Sequence, residues 1–210
     1  MIPKFPVYLF DVDGTLLDSA PDICAAVAQV LDASGATPRS FEYLKGFVGL
    51  HLNAVFGEAF PDLPPEGIDR LIQQYRGIYL GRGHASTRVF PGVAEGLAAL
   101  GGRKSTATTK GTPTTRSVLE QFGLLQHFDH VQGTDGFPSK PAPDVIYAAL
   151  DALGARPDEC LMVGDSPADM EAARRAGVKV CAVGYGYGER EALERYDPDF
   201  WVADLRDLAV

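Results

Sequence analysis

The sequence predicts an α/β fold: a parallel sheet covered by helices, with a helical insertion after the first strand. Three observations predict it. Short strand-like runs alternate with helical patterns, and that alternation builds parallel sheets. The first run, Val7-Tyr8-Leu9-Phe10, leads straight into Asp11-Val12-Asp13-Gly14-Thr15, so two carboxylates stand where a strand leaves the sheet. From Ser19 to about Arg82 the alternation stops, and only helical stripes are found.

Taken in order, strands are predicted at Val7–Phe10 and at residues 105–108, 128–132, 160–163, 178–183 and 200–202. The second of these is polar for a central strand, but it holds Thr106 and Thr108, and threonine is β-branched. In the insertion, Ile23, Ala26, Val27, Val30 and Leu31 share one helical face, with Gly35 as the stop. Leu52, Val55, Phe56 and Ala59 form a second stripe, and Ile68, Leu71, Ile72, Tyr75, Ile78 and Tyr79 a third. Beyond it, Thr112-Pro113 predicts a helix start, with Thr112 as N-cap, and Gly123 its end. Ser166-Pro167 opens another helix, which Gly177 closes. Trp201 reads as core near the last strand, and no internal repeat or low-complexity stretch occurs.

The 210 residues, 46% of them hydrophobic, suffice for one sizeable core, or one core plus a small accessory domain. Apolar runs such as Val7–Phe10 and 178–183 are too short to span a bilayer, and the N-terminus lacks a signal-peptide pattern. Cys24, Cys160 and Cys181 are few, odd in number and without a CxxC pair, which predicts buried thiols in a reducing compartment and a cytoplasmic location. The net charge of -9 argues against a nucleic-acid surface. An anionic substrate stays open, because a bound divalent cation inverts the local field.

Asp11 and Asp13 repel each other unless a cation lies between them or one is protonated, and the turn at Gly14 lets backbone approach a ligand closely. A strand running into an Asp-rich surface turn is the plain alternative. Three later segments weigh against it: Thr106-Ala107-Thr108-Thr109-Lys110, Ser139-Lys140-Pro141-Ala142-Pro143-Asp144 and Val163-Gly164-Asp165-Ser166-Pro167-Ala168-Asp169. Lys140 sits in a loop stiffened by Pro138, Pro141 and Pro143. The hydroxyl of Thr108 and the adjacent N–H groups suit phosphoryl oxygens. Ser166 and Asp169 have the spacing of a capping box, so Asp169 serves either as a cap or as metal support.

In order and spacing, these four segments resemble the motifs of the haloacid dehalogenase superfamily, most closely its phosphoglycolate phosphatase-like branch. The lead-in Phe90-Pro91-Gly92-Val93 and the tail Tyr185-Gly186-Tyr187-Gly188 extend the likeness over nearly the whole chain. The resemblance implies a Rossmann-like α/β core of residues 1–18 and 83–210 and a helical cap domain of residues 19–82. It implies an Mg2+-dependent phosphatase acting on a small phosphorylated metabolite, 2-phosphoglycolate being the first guess. Asp11 is then the nucleophile, Asp13 the general acid and base, and Lys140 the cation that neutralises the nucleophile and the phosphoryl group. The metal falls to Asp11, Asp165 and Asp169 and to the backbone carbonyl of Asp13. Thr108, Thr109, Lys140 and Lys45 are the substrate-binding candidates, with His51 beside Lys45 in the cap. Thr109 departs from the Asn that relatives of this branch often carry. No nucleic-acid or membrane partner is expected, and the chain is expected to be a monomer or homodimer.

The enzyme rival is a phosphomutase of the β-phosphoglucomutase type, which shares the four motifs. A dehalogenase would leave Asp13 idle, and a phosphonoacetaldehyde hydrolase needs a cap lysine, for which Lys45 is the candidate. A non-catalytic binding protein on the same fold would be expected to lack one of Asp11, Asp13, Lys140 or Asp165, and all four are present.

Overall fold

The computed structural model describes residues 2–209. The chain begins with β1 (Val7–Phe10) and β2 (Leu17–Asp18), then runs through α1 (Ala20–Ala33), α2 (Phe41–Lys45), α3 (Leu52–Ala59) and α4 (Pro65–Gly81). After these come β3 (Arg88–Val89), α5 (Val93–Ala99), β4 (Arg103–Thr106), α6 (Thr112–Gln121) and α7 (Asp144–Leu153). The last elements are β5 (Cys160–Gly164), α8 (Pro167–Ala176), β6 (Lys179–Val183), α9 (Arg190–Glu194) and β7 (Phe200–Val202). Two compact units result. One takes the chain up to Asp18 and resumes at Arg88; the other is Ser19–Thr87.

The first unit is an α/β fold around a five-stranded parallel sheet of order β4-β1-β5-β6-β7. Its strands are short, and β1 and β5 are apolar throughout because both of their faces are covered. In β1, Tyr8 and Phe10 enter one core with Leu97, Leu119 and Val163, while Val7 and Leu9 enter the other with Ile146, Met162 and Met170. Each such side chain contributes about 1.5–3 kcal/mol on burial. The register pairs Phe10 with Thr106 on one side and with Val163 on the other. Asp11 and Ala107 therefore leave the sheet together at its carboxyl edge, and Asp165 leaves it after Gly164, the last residue of β5, at the edge where open α/β sheets build their sites.

Two predicted strands need correction. The one expected at 105–108 lies two residues earlier, because Arg103 already pairs with Val7. Lys104 fits the buried strand by lying along it and donating from Nζ to the Gly102 carbonyl at 3.1 Å. Residues 128–132 form no strand. That segment runs beside β4 with a single bridge, Ser105 to His130, and side chains replace the ladder. Thr106 Oγ1 donates to the Gln132 carbonyl and accepts from the Gln132 N–H, both at 2.9 Å, and Asp129 accepts from the Lys104 N–H at 2.8 Å. Thr112 is the first residue of α6 rather than its cap; Gly111 is the N-cap, the Thr112 N–H donates to Asp135, and its hydroxyl accepts from Gly133. The helix at Ser166 starts as expected, with a reciprocal capping box between Ser166 and Asp169, and Gly177 closes it at φ +71°.

The second unit is all helical. α1 packs on α2 and α4, and α3 on α4. All three predicted stripes lie on helices, with Val27, Val30, Val55, Phe56, Leu71 and Tyr75 buried. The short α2 carries no stripe long enough to see in the sequence. Asp22, in the first turn of α1, is fully buried and accepts from Arg82 Nε at 3.0 Å, the Ser86 N–H at 2.8 Å and the Thr87 hydroxyl at 2.9 Å. This clasp joins residues 82–87 to α1 within the unit. Burial alone would raise the Asp22 pKa, but donation from Thr87, Ser86 and Arg82 outweighs it and holds the carboxyl below its usual range. Among the described residues, no helix is long and apolar enough to cross a membrane.

Candidate active site

Asp11 follows β1, and its own N–H donates to the Val163 carbonyl of β5 at 2.9 Å, so the sheet itself fixes its position. Asp165 follows Gly164 at the end of β5. Asp169 stands in the first turn of α8, where Oδ2 accepts from the Ser166 N–H at 3.0 Å and from the Ser166 hydroxyl at 2.7 Å. One carboxylate oxygen from each of Asp11, Asp165 and Asp169 lies within 4.8 Å of the other two, and all three residues are buried. Asp169 thus both caps its helix and faces the cluster, because one carboxylate oxygen serves each purpose.

Lys140 reaches this cluster from the proline-flanked loop. Its Nζ donates to Asp11 Oδ1 at 2.7 Å, to Asp169 Oδ1 at 2.5 Å and to the Ala107 carbonyl at 2.9 Å, which uses all three ammonium protons. It is 3% exposed, so this lysine is not a solvated surface cation. Burial would lower its pKa, but Asp11 and Asp169 outweigh burial and raise it.

Three carboxylates face one ammonium, and the imbalance registers in their acidity. Burial pushes Asp11 up to about 7, against the pull of Lys140 and with the repulsion of Asp169. Burial, then repulsion from Asp11 and Asp169, pushes Asp165 up to about 8. A buried set of acceptor-only oxygens short of positive charge suits a hard divalent cation. Asp165 is oriented by donation from the Thr15 hydroxyl to Oδ1 at 2.9 Å and from the Tyr187 N–H to Oδ2 at 2.8 Å. Gly14 lies against it at φ +96°, and a Cβ there would sit 2.2 Å from Asp165 Oδ2. No other residue type fits this turn.

The structure places Asp13 differently. It lies in the turn from Val12 to Leu17, and its carboxylate pairs with Lys110 Nζ at 3.2 Å rather than joining the cluster. Thr108 is buried just past β4; its hydroxyl accepts from the Lys110 N–H at 3.4 Å and its carbonyl accepts from Thr134 at 2.9 Å. Thr109 follows in the same loop, half-buried. Lys45 is the last residue of α2 and belongs to the helical unit. His51 is the N-cap of α3, with Nδ1 accepting from the Asn53 N–H at 3.2 Å. Lys110, Thr15 and Tyr187 carry parts of the site to which the sequence reading gave no role. Lys110 and Thr15 stand inside quoted motifs, but no local spacing links either to its partner.

Such a site brings together a buried carboxylate gripped by a fixed ammonium, a group of carboxylates that could hold a metal ion, and a second carboxylate on an adjacent turn. These are the parts phosphoryl transfer requires. The family model for haloacid dehalogenase-like hydrolases matches residues 8–183. A phosphoglycolate phosphatase from Vibrio vulnificus (strain YJ016) is 35% identical over 210 residues, covering 95% of this chain and 92% of that protein. A phosphoglycolate phosphatase from Nitrosospira multiformis is 34% identical over 206 residues, covering 94% and 91%. Among solved structures, a haloacid dehalogenase-like family hydrolase from Streptococcus pneumoniae superposes with a TM-score of 0.88 at 27% identity, covering 97% of this chain and 96% of that one. By this family match and these relatives, the chain belongs to the haloacid dehalogenase-like hydrolases, on their phosphoglycolate phosphatase-like branch.

Proposed function

We propose that the chain is an Mg2+-dependent phosphatase that hydrolyses a small phosphomonoester through an aspartyl phosphate on Asp11. The observation that carries this reading is the grip of Lys140 on the Asp11 carboxylate beside Asp165 and Asp169. In the first step an Asp11 oxygen bonds to phosphorus as the ester P–O bond breaks, and Asp13 gives its proton to the departing alkoxide. In the second, Asp13 takes a proton from water as that water attacks the phosphorus. The Asp11–phosphorus bond then breaks, which returns the Asp11 carboxylate and releases phosphate. Lys140 and the Thr108 hydroxyl hold and neutralise the phosphoryl oxygens, and Thr109 lines the same loop.

Asp11 and Asp165, the Asp13 backbone carbonyl and Asp169 as support would hold the cation. When bound, Mg2+ supplies positive charge against the phosphate and the buried carboxylates. The relatives named phosphoglycolate phosphatase make 2-phosphoglycolate the first substrate to test. Within this reading residues 19–82 act as the cap domain, and substrate choice is assigned to them, with Lys45 as the residue to substitute. The test is phosphate release from a panel of small phosphomonoesters, with and without chelator. Release that depends on Mg2+ and is fastest with 2-phosphoglycolate is expected. Full turnover after chelation would remove the metal from the mechanism, and phosphate transfer to a sugar phosphate instead of water would make the chain a mutase.

A further inference from the structure

The loop after β6, Gly184-Tyr185-Gly186-Tyr187-Gly188, orients Asp165 through its backbone, but its two tyrosine side chains take no part in the chemistry above; the loop makes three long-range contacts. The Tyr187 N–H donates to Asp165 Oδ2 at 2.8 Å. The Tyr187 hydroxyl donates to Asp18 Oδ1, also at 2.8 Å. The Tyr185 hydroxyl donates to the Thr15 carbonyl at 2.8 Å. Both rings pack on Phe90, with centroids 5.1 and 6.2 Å away. The loop backbone lies directly on Asp165: a Cβ at Gly186 would sit 2.2 Å from Asp165 Cβ.

Asp18 is the last residue of β2, and the chain leaves for the helical unit immediately after it. β2 pairs with β3 through Leu17–Val89 and Asp18–Arg88, and its other backbone partners among the described residues lie in its own Val12–Gly14 turn, where Leu17 bridges Asp13. An antiparallel ribbon two residues long does not hold its register alone. It needs tethers, and the phenol-to-carboxylate bond from Tyr187 is charge-assisted and therefore among the stronger kinds.

We propose that Tyr187 is a positioning residue that couples the Asp165 carboxylate to the ribbon from which the insertion departs. Its backbone orients the carboxylate and its side chain fixes the ribbon. A cation that orders Asp165 therefore also orders β2 and β3, and ordering the ribbon in turn favours cation binding. The inference rests on the phosphatase reading for the metal and for turnover, but not for the tether itself.

The test compares wild type, Tyr187→Phe and Asp18→Ala by amide hydrogen exchange, Mg2+ titration calorimetry and turnover of p-nitrophenyl phosphate. Tyr187→Phe keeps the backbone N–H and the ring on Phe90 and removes only the hydroxyl. Metal-free, it should speed exchange across β2, β3 and Phe90 by about tenfold, with the parallel sheet unchanged. Mg2+ should slow exchange at the ribbon in wild type and fail to do so in the variant. The variant should still bind Mg2+, because the Asp165 contact is backbone, but more weakly than wild type by the factor by which Mg2+ slows ribbon exchange in wild type. Its kcat should fall about tenfold at unchanged KM. Asp18→Ala should reproduce these effects, and the double variant should be no worse than either single one. Equal ribbon exchange in wild type and Tyr187→Phe, metal-free and loaded, would overturn the proposal, as would independent losses in the double variant. Wild type that releases no phosphate would overturn the phosphatase reading alone, since metal-free exchange still decides the tether.

Discussion

Both units bury carboxylates, and they treat them in opposite ways. Asp22 in the helical unit meets a guanidinium, a backbone N–H and a hydroxyl, and its acidity is strengthened. Asp11 and Asp165 in the sheet unit are short of positive charge, and their pKa values rise. A buried charge with a full set of donors is a structural joint. Buried charges left uncompensated are costly in the free protein and suit a site that binds something positive or carries out chemistry. The contrast separates function from architecture without reference to sequence motifs.

The strongest way to break it is at Asp11. Asp11→Asn should reduce turnover by on the order of a thousandfold or more, because an amide is no nucleophile. It should leave Tm unchanged or higher in metal-free protein, because one uncompensated charge disappears. Steady-state kinetics and a thermal melt on the same preparation check both arms. Near-normal turnover, or a melt lowered as a joint would lower it, would merge the two classes of carboxylate.

Next comes the cation. Asp165→Ala should weaken Mg2+ binding by about 10- to 100-fold, measured by calorimetry, with little change in fold. Unaltered binding would move the site elsewhere. At the joint, Asp22→Ala should do the converse. It leaves Arg82, Ser86 and Thr87 without their common acceptor and should cost about 2–3 kcal/mol, a value kept modest because Arg82 is partly exposed. Chemical denaturation and limited proteolysis should show residues 82–87 released early, with Mg2+ binding unaffected. If catalysis is lost before stability, Asp22 is no joint.

How far the sequence could be read follows from range. Asp11 stood out because it directly follows an apolar strand, Asp165 through the resemblance of its segment to a family motif, and Ser166-Pro167 with Asp169 announces a capped helix within four residues. The α/β class and the stripes of α1, α3 and α4 were legible for the same reason, since periodicity is local. What escaped depends on distant partners. The start of β4 is set by pairing with Val7, and residues 128–132 are held by the Thr106 side chain rather than by a ladder. The Lys110 pairing of Asp13 and the hold of Tyr187 on Asp165 join segments remote in sequence. The two-residue strands β2 and β3 are too short to carry any alternation.

The smallest effect is also the sharpest test, because the two classes should respond to pH with opposite sign. For Asp22 the folded pKa is depressed. Its contribution to stability is therefore present above the ordinary carboxylate value of 3.8 and is lost as pH falls through the lower folded value. For Asp11 and Asp165 in metal-free protein the folded values are raised to about 7 and about 8. Their contribution is present below 3.8 and is lost as pH rises through those values. Metal-free protein should therefore lose Tm by a few degrees between about pH 5 and pH 8, while Asp11→Asn should show a smaller drift. Mg2+ competes with protons for the same oxygens, so it should bind more tightly as pH rises across that window and cancel the drift. In acid the order reverses: the helical unit should open first, and Asp22→Asn should blunt that opening. Thermal melts of wild type and both variants from pH 3 to pH 8, with Mg2+ or chelator, decide it. A metal-free Tm that is flat or rising from pH 5 to pH 8 would mean that the cluster is not short of positive charge, and the distinction between joint and site would fall.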